Sequence, residues 1–188
     1  MGTLSDAYNR VCCTPSDIQE HLPTLASLAK QCNHATEFGV RCGNSSIALL
    51  TGLASAPGRS DRAYAGYDLK AAPPELERLA LDNGIRYQHN IDDTMRVKAI
   101  AETDLLFLDT RHDADHVRRE LVHAHNGAVS RYVVLHDTET YGWQGQSVDG
   151  KPTAGILLAV GEFLVKNHEW RVCRHYRNNN GLTVLERF

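Results

Sequence analysis

The sequence predicts an α/β domain in which helices cover both faces of a mostly parallel sheet. Short apolar runs alternate with stretches of helical periodicity along most of the 188 residues. Two of these runs, residues 104–109 and 131–137, are apolar almost throughout, which is typical of parallel strands covered on both faces. Residues 178–181 read Asn-Asn-Asn-Gly between two strand-like runs, and this pattern predicts a hairpin that adds one antiparallel strand.

The composition is that of an ordinary globular protein, with 42% hydrophobic residues, 23% charged residues and a formal net charge of -3. A nucleic-acid partner is not favoured, because such partners usually require a basic excess. No apolar run approaches the length of a membrane span or a signal core, so we expect a soluble cytoplasmic protein. We expect one domain over residues 1–188, with an N-terminal helical segment (1–32) and a sheet-containing core (33–188).

Two proline signals predict short helices at the N-terminus. Thr14 has the hydroxyl of a capping residue, and Pro15 then occupies the first helical position of a predicted helix. Pro23 predicts the start of a second helix, because a proline inside the first helix would break it.

Seven segments are predicted to be strands: residues 34–40, 63–69, 85–89, 104–109, 131–137, 170–176 and 182–186. Helices are predicted between them at residues 45–54, from 73 to about 84, at 114–125 and at 154–166. Residues 138–153 form a long polar connection, and long connections in compact domains are usually functional or mobile.

Candidate ligand-binding residues lie at the carboxyl ends of the predicted parallel strands, where open α/β sheets bind their ligands. They are Glu37, Gly39 and Gly43 after the first strand, Asp68 and Leu69 at the second, Asp92 and Asp93 after the third, Asp109 after the fourth, and His136 and Asp137 at the fifth.

The loop after the first strand has the features of a ligand-binding turn. Gly39 and Gly43 let the backbone turn sharply and approach a ligand closely. The following helix, beginning near Asn44 and Ser45, presents backbone N–H groups to an anionic group. Asp68 could accept hydrogen bonds from a ribose diol, as in nicotinamide or adenosylmethionine enzymes. The alternative is that the two glycines are only turn residues.

The pattern Glu37-x-Gly39-x-x-x-Gly43-x-Ser45 resembles the first motif of class I S-adenosylmethionine-dependent methyltransferases, and it differs from the G-x-G-x-x-G dinucleotide fingerprint. The terminal hairpin resembles the reversed last strand of that Rossmann-like, seven-stranded fold. The segments HLPTL, TEFGVR, DLLFLDTRH, RYVVLHDT and NNNGLTVLER, which span residues 21–187, resemble small bacterial and phage methyltransferases related to cephalosporin-hydroxylase and macrolide-sugar O-methyltransferase enzymes.

This resemblance implies S-adenosylmethionine as the cofactor. Its methionine end would contact Glu37, Gly39, Gly43, Asn44 and Ser45, its ribose Asp68 beside Leu69, and its adenine Asp92 or Asp93, with Asp109 also at the cofactor. Asp109 and Asp137 stand where metal-dependent relatives bind magnesium, an ion that prefers hard oxygen ligands. The sequence departs from those relatives at His136, where they carry a further acidic or amide residue.

His112 and His136 are the candidate general bases, because imidazole titrates near neutral pH and could deprotonate an attacking hydroxyl. The alternative is that either is only a hydrogen-bonded histidine at a strand end. His112 and His116 have the spacing of a zinc-protease helix, but His112 is predicted to lie in a turn and no third ligand is evident.

The sequence therefore predicts an O-methyltransferase that acts on a hydroxyl of a small molecule or sugar. The alternative is an S-adenosylmethionine-binding protein that is non-catalytic or has diverged in its chemistry. The 138–153 connection carries Tyr141 and Trp143, which could cover the reaction centre once the acceptor binds. The alternative is a surface loop whose aromatic side chains only pack on the sheet edge. A homo-oligomer is left open, since a partner subunit could contribute to acceptor specificity.

Overall fold

The computed structural model describes residues 2–56, 58 and 60–188. The helices in these residues are α1 (Leu4–Cys13), α2 (Leu22–Ala29), α3 (Asn44–Ala54), α4 (Glu75–Asp82), α5 (Ala114–His125) and α6 (Ile156–Lys166), with a 3-10 turn at Gln19–His21. The strands are β1 (His34–Phe38), β2 (Arg62–Asp68), β3 (Ile85–Ile91), β4 (Thr103–Leu108), β5 (Val129–His136), β6 (Gln144–Val148), β7 (Lys151–Ala154), β8 (Trp170–Tyr176) and β9 (Leu182–Arg187). Within this part of the chain, no helix has both the length and the apolar character of a membrane span.

Seven strands form one sheet in the order β3-β2-β1-β4-β5-β9-β8. Strands β1 to β5 pair in parallel, whereas β9 runs antiparallel to both of its neighbours. The predicted mostly parallel sheet with an antiparallel C-terminal hairpin strand is confirmed. Because β1 and β4 are adjacent although β2 and β3 separate them in the chain, the strand order reverses there, and a crevice opens at their carboxyl ends.

The sheet separates two hydrophobic cores. Along β4, Leu105 and Phe107 join the core under α1 to α4, whereas Leu106 and Leu108 join the core under α5 and α6. Alternating directions of successive side chains produce this division. The apolar run of β4 is thus explained by burial on both faces, and the predicted placement of helices on both faces is confirmed.

The predicted helix starting at Thr14 is wrong. The first helix instead precedes this residue, and Thr14 is the residue that ends it. Thr3 and Asp6 begin α1 through a reciprocal capping box, in which the Thr3 hydroxyl accepts from the Asp6 N–H and the Asp6 carboxylate accepts from the Thr3 N–H. Pro15 disfavours a helical backbone at the residue before it, which stops α1 at Thr14. The helix predicted from Pro23 is present as α2, with the proline in its first turn.

The 138–153 connection contains a hairpin that was not predicted. Strands β6 and β7 pair antiparallel, with Val148 opposite Lys151. The two residues between them, Asp149 and Gly150, have φ values of 50° and 72°, which suit the type I′ turn of a two-residue hairpin. Asp-Gly is a characteristic sequence for this turn, so the signal was present in the sequence.

The packing of α2 against α3 requires a glycine, and a matched substitution tests this requirement. A Cβ added at Gly52 would lie 2.3 Å from the carbonyl oxygen of Ala26 and 2.6 Å from the Cβ of Ala29. We expect Gly52→Ala to lower the free energy of unfolding by roughly 1–3 kcal/mol, because the two helices must separate. Gly161 in α6 has no atom within 4 Å of an added Cβ, so Gly161→Ala should raise stability by about 0.5–1 kcal/mol. Denaturant unfolding measures both, and effects of the same sign would contradict this account of the α2–α3 contact.

Candidate functional site

A cleft of about 330 Å³ lies at the carboxyl ends of the parallel strands, within the usual size range of small-molecule sites. Its lining residues are Gly39, Arg41, Tyr67, Asp68, Leu69, Asp92, Asp93, Thr94, Met95, Asp109, Thr110, Arg111 and His116. Six of the residues predicted to bind the cofactor belong to this set: Gly39, Asp68, Leu69, Asp92, Asp93 and Asp109. Parallel pairing explains why these separate segments meet, since the carboxyl ends of β1 to β4 lie along one edge.

The glycine loop between β1 and α3 passes close to the end of β4. Gly39 has a φ of 91°, and a Cβ there would lie 2.0 Å from the carbonyl oxygen of Asp109. Both the left-handed backbone and the lack of space require glycine at this position. Gly43 has a φ of 81° and precedes α3, where no described side chain forms a capping hydrogen bond.

Asp68 at the end of β2 organises this loop. Its Oδ2 accepts hydrogen bonds from the backbone N–H groups of Val40 and Arg41, each at 2.8 Å. Its Oδ1 accepts from the N–H of Lys70 at 3.0 Å. Because each carboxylate oxygen can accept more than one hydrogen bond, Asp68 can hold the loop and still offer a lone pair to a ligand in the cleft.

Glu37 lies behind the loop and is completely buried, so its side chain lines neither the cleft nor the smaller cavity beside it. Its carboxylate accepts hydrogen bonds from the hydroxyls of Ser45 at 2.5 Å, Ser46 at 2.6 Å and Tyr64. Burial raises the pKa of Glu37 to about 7, although these three hydroxyls oppose the rise. The predicted contact of Glu37 with a cofactor stays a prediction, and the observed contacts of its carboxylate are with α3 and β2.

The smaller cavity adjoins the cleft at the start of α3. Asn44 and Ser45 line it together with Gly39 and Asp109, so Asp109 faces both spaces. The first N–H groups of any helix have no partner within the helix and attract negative groups. A carboxylate-bearing ligand in the cleft can therefore place its charge at this end of α3.

Asp109, His112, His136 and Asp137 converge into one cluster, as the carboxyl ends of two adjacent strands should. Nε2 of His112 lies 3.3 Å from Oδ1 of Asp109 and 3.0 Å from Oδ2 of Asp137. Nδ1 of His136 lies 3.3 Å and 3.4 Å from the same two oxygens. The two carboxylates are thus shared between two imidazoles, and we call these four residues the reaction-centre cluster.

The reaction-centre cluster favours its fully charged state. Burial alone would lower the pKa of each histidine, but the hydrogen bonds and charges of Asp109 and Asp137 raise it to about 9 for His112 and about 10 for His136. Burial opposes ionisation of both carboxyl groups, yet the histidines hold the pKa values of Asp109 and Asp137 below their usual range. Near neutral pH both imidazoles therefore carry an extra proton and neither is free to accept one.

The same cluster offers ligand atoms for a cation. One atom each from Asp109, His136 and Asp137 lies within 4.8 Å of the other two. The two carboxylates suit magnesium, whereas imidazole is a ligand for transition ions such as Co²⁺, Ni²⁺ and Zn²⁺. The sequence departs from magnesium-dependent relatives at His136, and the geometry places a ring nitrogen of this residue where it could be a third ligand beside the two carboxylates.

The connection after β5 covers one side of this cluster. Tyr141 stacks on His112, with ring centroids 5.0 Å apart and planes inclined by 3°. The backbone N–H of Gln146 donates to the carbonyl of His112 at 2.8 Å, which fastens the β6–β7 hairpin to the loop before α5. Trp143 is 87% exposed, and its predicted closure over the centre on acceptor binding stays a prediction.

The other side is bounded by the N-terminal segment and the β8–β9 turn. Nε2 of His136 lies 3.3 Å from the carbonyl oxygen of Asn179, and its ring lies edge-on to that of His21 at 5.8 Å. Asn179 also donates to the carbonyl of Ser16 and accepts from the N–H of Glu20. Both chain termini thus contribute segments that enclose His136.

The sequence patterns missed several cleft residues, notably Thr94, Met95, Thr110, Arg111 and His116. They come from loops and from the first turn of α5, where no periodicity reveals which way a side chain points. Only their position shortly after β3 and β4 could have indicated them.

Solved structures with the same fold include methyltransferases, although no protein-family model matches the chain and a comparison with curated proteins finds no match. An SAH-bound methyltransferase from Podospora anserina is 12% identical, with a TM-score of 0.59 over 98% of this chain and 87% of that one. An O-methyltransferase from Streptomyces achromogenes, involved in tomaymycin synthesis and in complex with SAM, is 15% identical, with a TM-score of 0.57 over 98% and 88%. An N-methyltransferase from Bradyrhizobium japonicum, in complex with SAH, is 12% identical, with a TM-score of 0.57 over 99% of both chains. The chain therefore has the class I, Rossmann-like methyltransferase fold.

The raised pKa of Glu37 predicts a specific effect of pH on stability. The unfolded carboxyl group loses its proton near pH 4.5 and the folded one near pH 7, so ionisation removes stability as pH rises through this window. Between pH 5 and pH 8 we expect the unfolding free energy of Glu37→Gln to rise by roughly 2.5 kcal/mol relative to that of the parent protein, since glutamine does not ionise. Glu77→Gln, at an exposed position, is the control for the charge change. A difference between Glu37→Gln and the parent that does not change with pH would refute the raised pKa.

Proposed function

We propose that the chain is an S-adenosylmethionine-dependent methyltransferase that methylates a hydroxyl oxygen of a small molecule or sugar. The observation that carries this proposal is the acidic cleft beside the glycine loop, which leads through Asp109 into the reaction-centre cluster. Neighbours with SAM or SAH bound in the same fold support it.

The charges of the cleft favour this cofactor over a dinucleotide. Four aspartates line it, and its two arginines are already paired, Arg41 with Asp17 at 2.7 Å and Arg111 with Asp113 at 2.5 Å. S-adenosylmethionine carries a sulfonium and an ammonium against one carboxylate, whereas a dinucleotide brings a pyrophosphate that needs free positive charge. An acidic lining attracts the first ligand and repels the second.

We propose one orientation for the cofactor in the cleft. Asp68 would accept hydrogen bonds from the ribose diol, and Leu69 would lie beside it. Asp92 and Asp93 would lie near the adenine, at the loop after β3. The methionine carboxylate would lie at the start of α3, near Asn44 and Ser45.

The reaction-centre cluster would then face the acceptor. Methyl transfer depends mainly on holding the acceptor oxygen in line with the transferred methyl group. We propose that His112, the more exposed of the two histidines, holds this hydroxyl by a hydrogen bond. Both ring nitrogens of His136 are already engaged, by the two carboxylates and by the carbonyl of Asn179, so we propose that His136 acts by orienting these carboxylates. His112 could take the proton of the hydroxyl only when another cation neutralises the carboxylates that now keep its imidazole protonated.

The groove beside Tyr141 supports an acceptor rich in hydroxyl groups. It measures about 370 Å³ and is lined by Thr140, Tyr141, Gln144, Gly145, Gln146 and Ser147. These side chains offer hydroxyl and amide hydrogen bonds and no formal charge, which suits an uncharged polyhydroxyl compound. Trp143 directly precedes Gln144 in the chain and is exposed, so its indole offers an aromatic surface on which a sugar ring could stack.

We also propose that Asp109, His136 and Asp137 hold a divalent cation. When bound, the cation would act as a Lewis acid that increases the acidity of the acceptor hydroxyl. Two carboxylates alone would suit magnesium, and the imidazole donor extends the preference toward Mn²⁺ and Co²⁺.

Calorimetric titration tests the cofactor. We expect micromolar binding of S-adenosylhomocysteine and no comparable binding of NAD. Asp68→Asn should weaken the binding of S-adenosylhomocysteine by about tenfold or more, because hydrogen bonds to a charged group are lost. Asp61→Asn, at the far end of β2 and 82% exposed, carries the same charge change away from the cleft and should bind normally. Preferential binding of NAD would refute the cofactor assignment. If the protein binds S-adenosylhomocysteine but forms none from S-adenosylmethionine with any of a panel of polyhydroxyl acceptors, the transferase role is refuted.

Metal titration tests the cation site. We expect Mn²⁺ and Co²⁺ to bind about tenfold more tightly than Mg²⁺, because one donor is a nitrogen. Asp137→Asn should remove this binding, whereas Asp61→Asn should leave it unchanged. Calorimetry and the electron paramagnetic resonance signal of bound Mn²⁺ provide the measurement. Equal affinities of the parent protein and Asp137→Asn for Mn²⁺ would refute the site.

A further inference from the structure

His116 is a buried histidine in the wall of the cleft. It does not belong to the reaction-centre cluster. It stands in the first turn of α5, and its side chain is only 8% exposed. Its ring lies against Thr94, which follows β3 on the side of the cleft where the adenine is proposed to lie.

A hydrogen-bond network fixes the orientation of this imidazole. Oε1 of Glu120, a completely buried residue, accepts from the hydroxyls of Thr94 at 2.7 Å and Thr110 at 2.8 Å. Nε2 of His116 lies 3.1 Å from the same oxygen and 3.0 Å from the Thr94 hydroxyl.

The network also assigns the ring proton. Thr94 has one hydroxyl proton and donates it to Glu120, so its oxygen can only accept from His116. Oε1 of Glu120 is likewise an acceptor. Nε2 of His116 therefore carries the proton, and in the neutral ring Nδ1 is an acceptor.

This Nδ1 atom is buried and has no hydrogen-bond partner among the described residues. Buried polar atoms are nearly always paired, so an unpaired acceptor in the wall of a ligand cleft indicates a missing donor. The unpaired atom, its burial and the place of its residue in the cleft wall point to a donor supplied by the ligand.

We propose that Nδ1 of His116 accepts a hydrogen bond from the 6-amino group of the cofactor's adenine and so selects an aminopurine. This inference rests on the proposed function. A 6-oxopurine would direct a carbonyl oxygen at the same acceptor, which leaves both atoms unpaired in a buried site. Thr94 and Glu120 are positioning residues in this scheme, because they act by holding the ring.

Paired ligands that differ at one atom test the inference. We expect the parent protein at pH 8 to bind S-adenosylhomocysteine at least about tenfold more tightly than S-inosylhomocysteine, its 6-oxo counterpart. In His116→Gln the amide can reach the position of Nε2 and keep the contact with Glu120, but no atom replaces Nδ1. The affinity for S-adenosylhomocysteine should fall about tenfold, and the ratio between the two ligands should approach one.

His125→Gln is the control, because His125 lies on the same helix outside the cleft and should keep the parent ratio. A tenfold preference that survives in His116→Gln would overturn the role of His116 while leaving the proposed cofactor intact. Failure of the parent protein to bind S-adenosylhomocysteine would instead overturn the proposed function.

A measurement on the unaltered protein does not depend on the folding of any variant. The ¹⁵N resonance of His116 Nδ1 should shift on addition of S-adenosylhomocysteine in the direction expected for a nitrogen that begins to accept a hydrogen bond. S-inosylhomocysteine should not produce this shift. The same response to both ligands would count against the proposal.

Discussion

The contact between Gly39 and Asp109 is the constraint on which the site depends. Gly39 donates its N–H to the carbonyl of Tyr67 at the end of β2, and Asp109 donates its N–H to the carbonyl of Phe38 at the end of β1. These bonds draw the ends of three strands together, and only a residue without a Cβ fits between them. Because Asp109 is held at this point, one carboxylate borders the cleft and also belongs to the reaction-centre cluster.

The sequence predicted the sheet well because burial leaves a direct mark on composition. A strand such as β4, covered on both faces, must be apolar throughout, and a turn such as Asn180-Gly181 needs residues that tolerate positive φ. The errors arose where two local signals competed. Thr14 and Pro15 are a plausible helix start, but the capping box of Thr3 and Asp6 had already begun a helix that must end there. At Asp149 and Gly150, the polar character of the segment concealed a turn signal.

The site was predictable only as far as topology determines it. Parallel strands bring their carboxyl ends together, so Asp68, Asp109 and Asp137 could be assigned to one edge of the sheet before their distances were known. The direction of a side chain is set by packing. Glu37 turns away from the cleft toward Ser46, and His116 turns into it, for reasons that depend on neighbours distant in the chain.

The hydrogen bonds of Asn179 have a consequence for how the protein folds. Asn179 joins Ser16 across 163 positions of the chain while its carbonyl contacts His136. Closing so long a loop is entropically costly, and contacts of high sequence separation form slowly. During synthesis the cleft beside β1 to β4 can form before the β8–β9 turn has been made, but the surroundings of His136 cannot. We therefore expect the cleft to form earlier in folding than the enclosure of His136, so an incompletely folded chain would contain the cleft while His136 is still open to solvent.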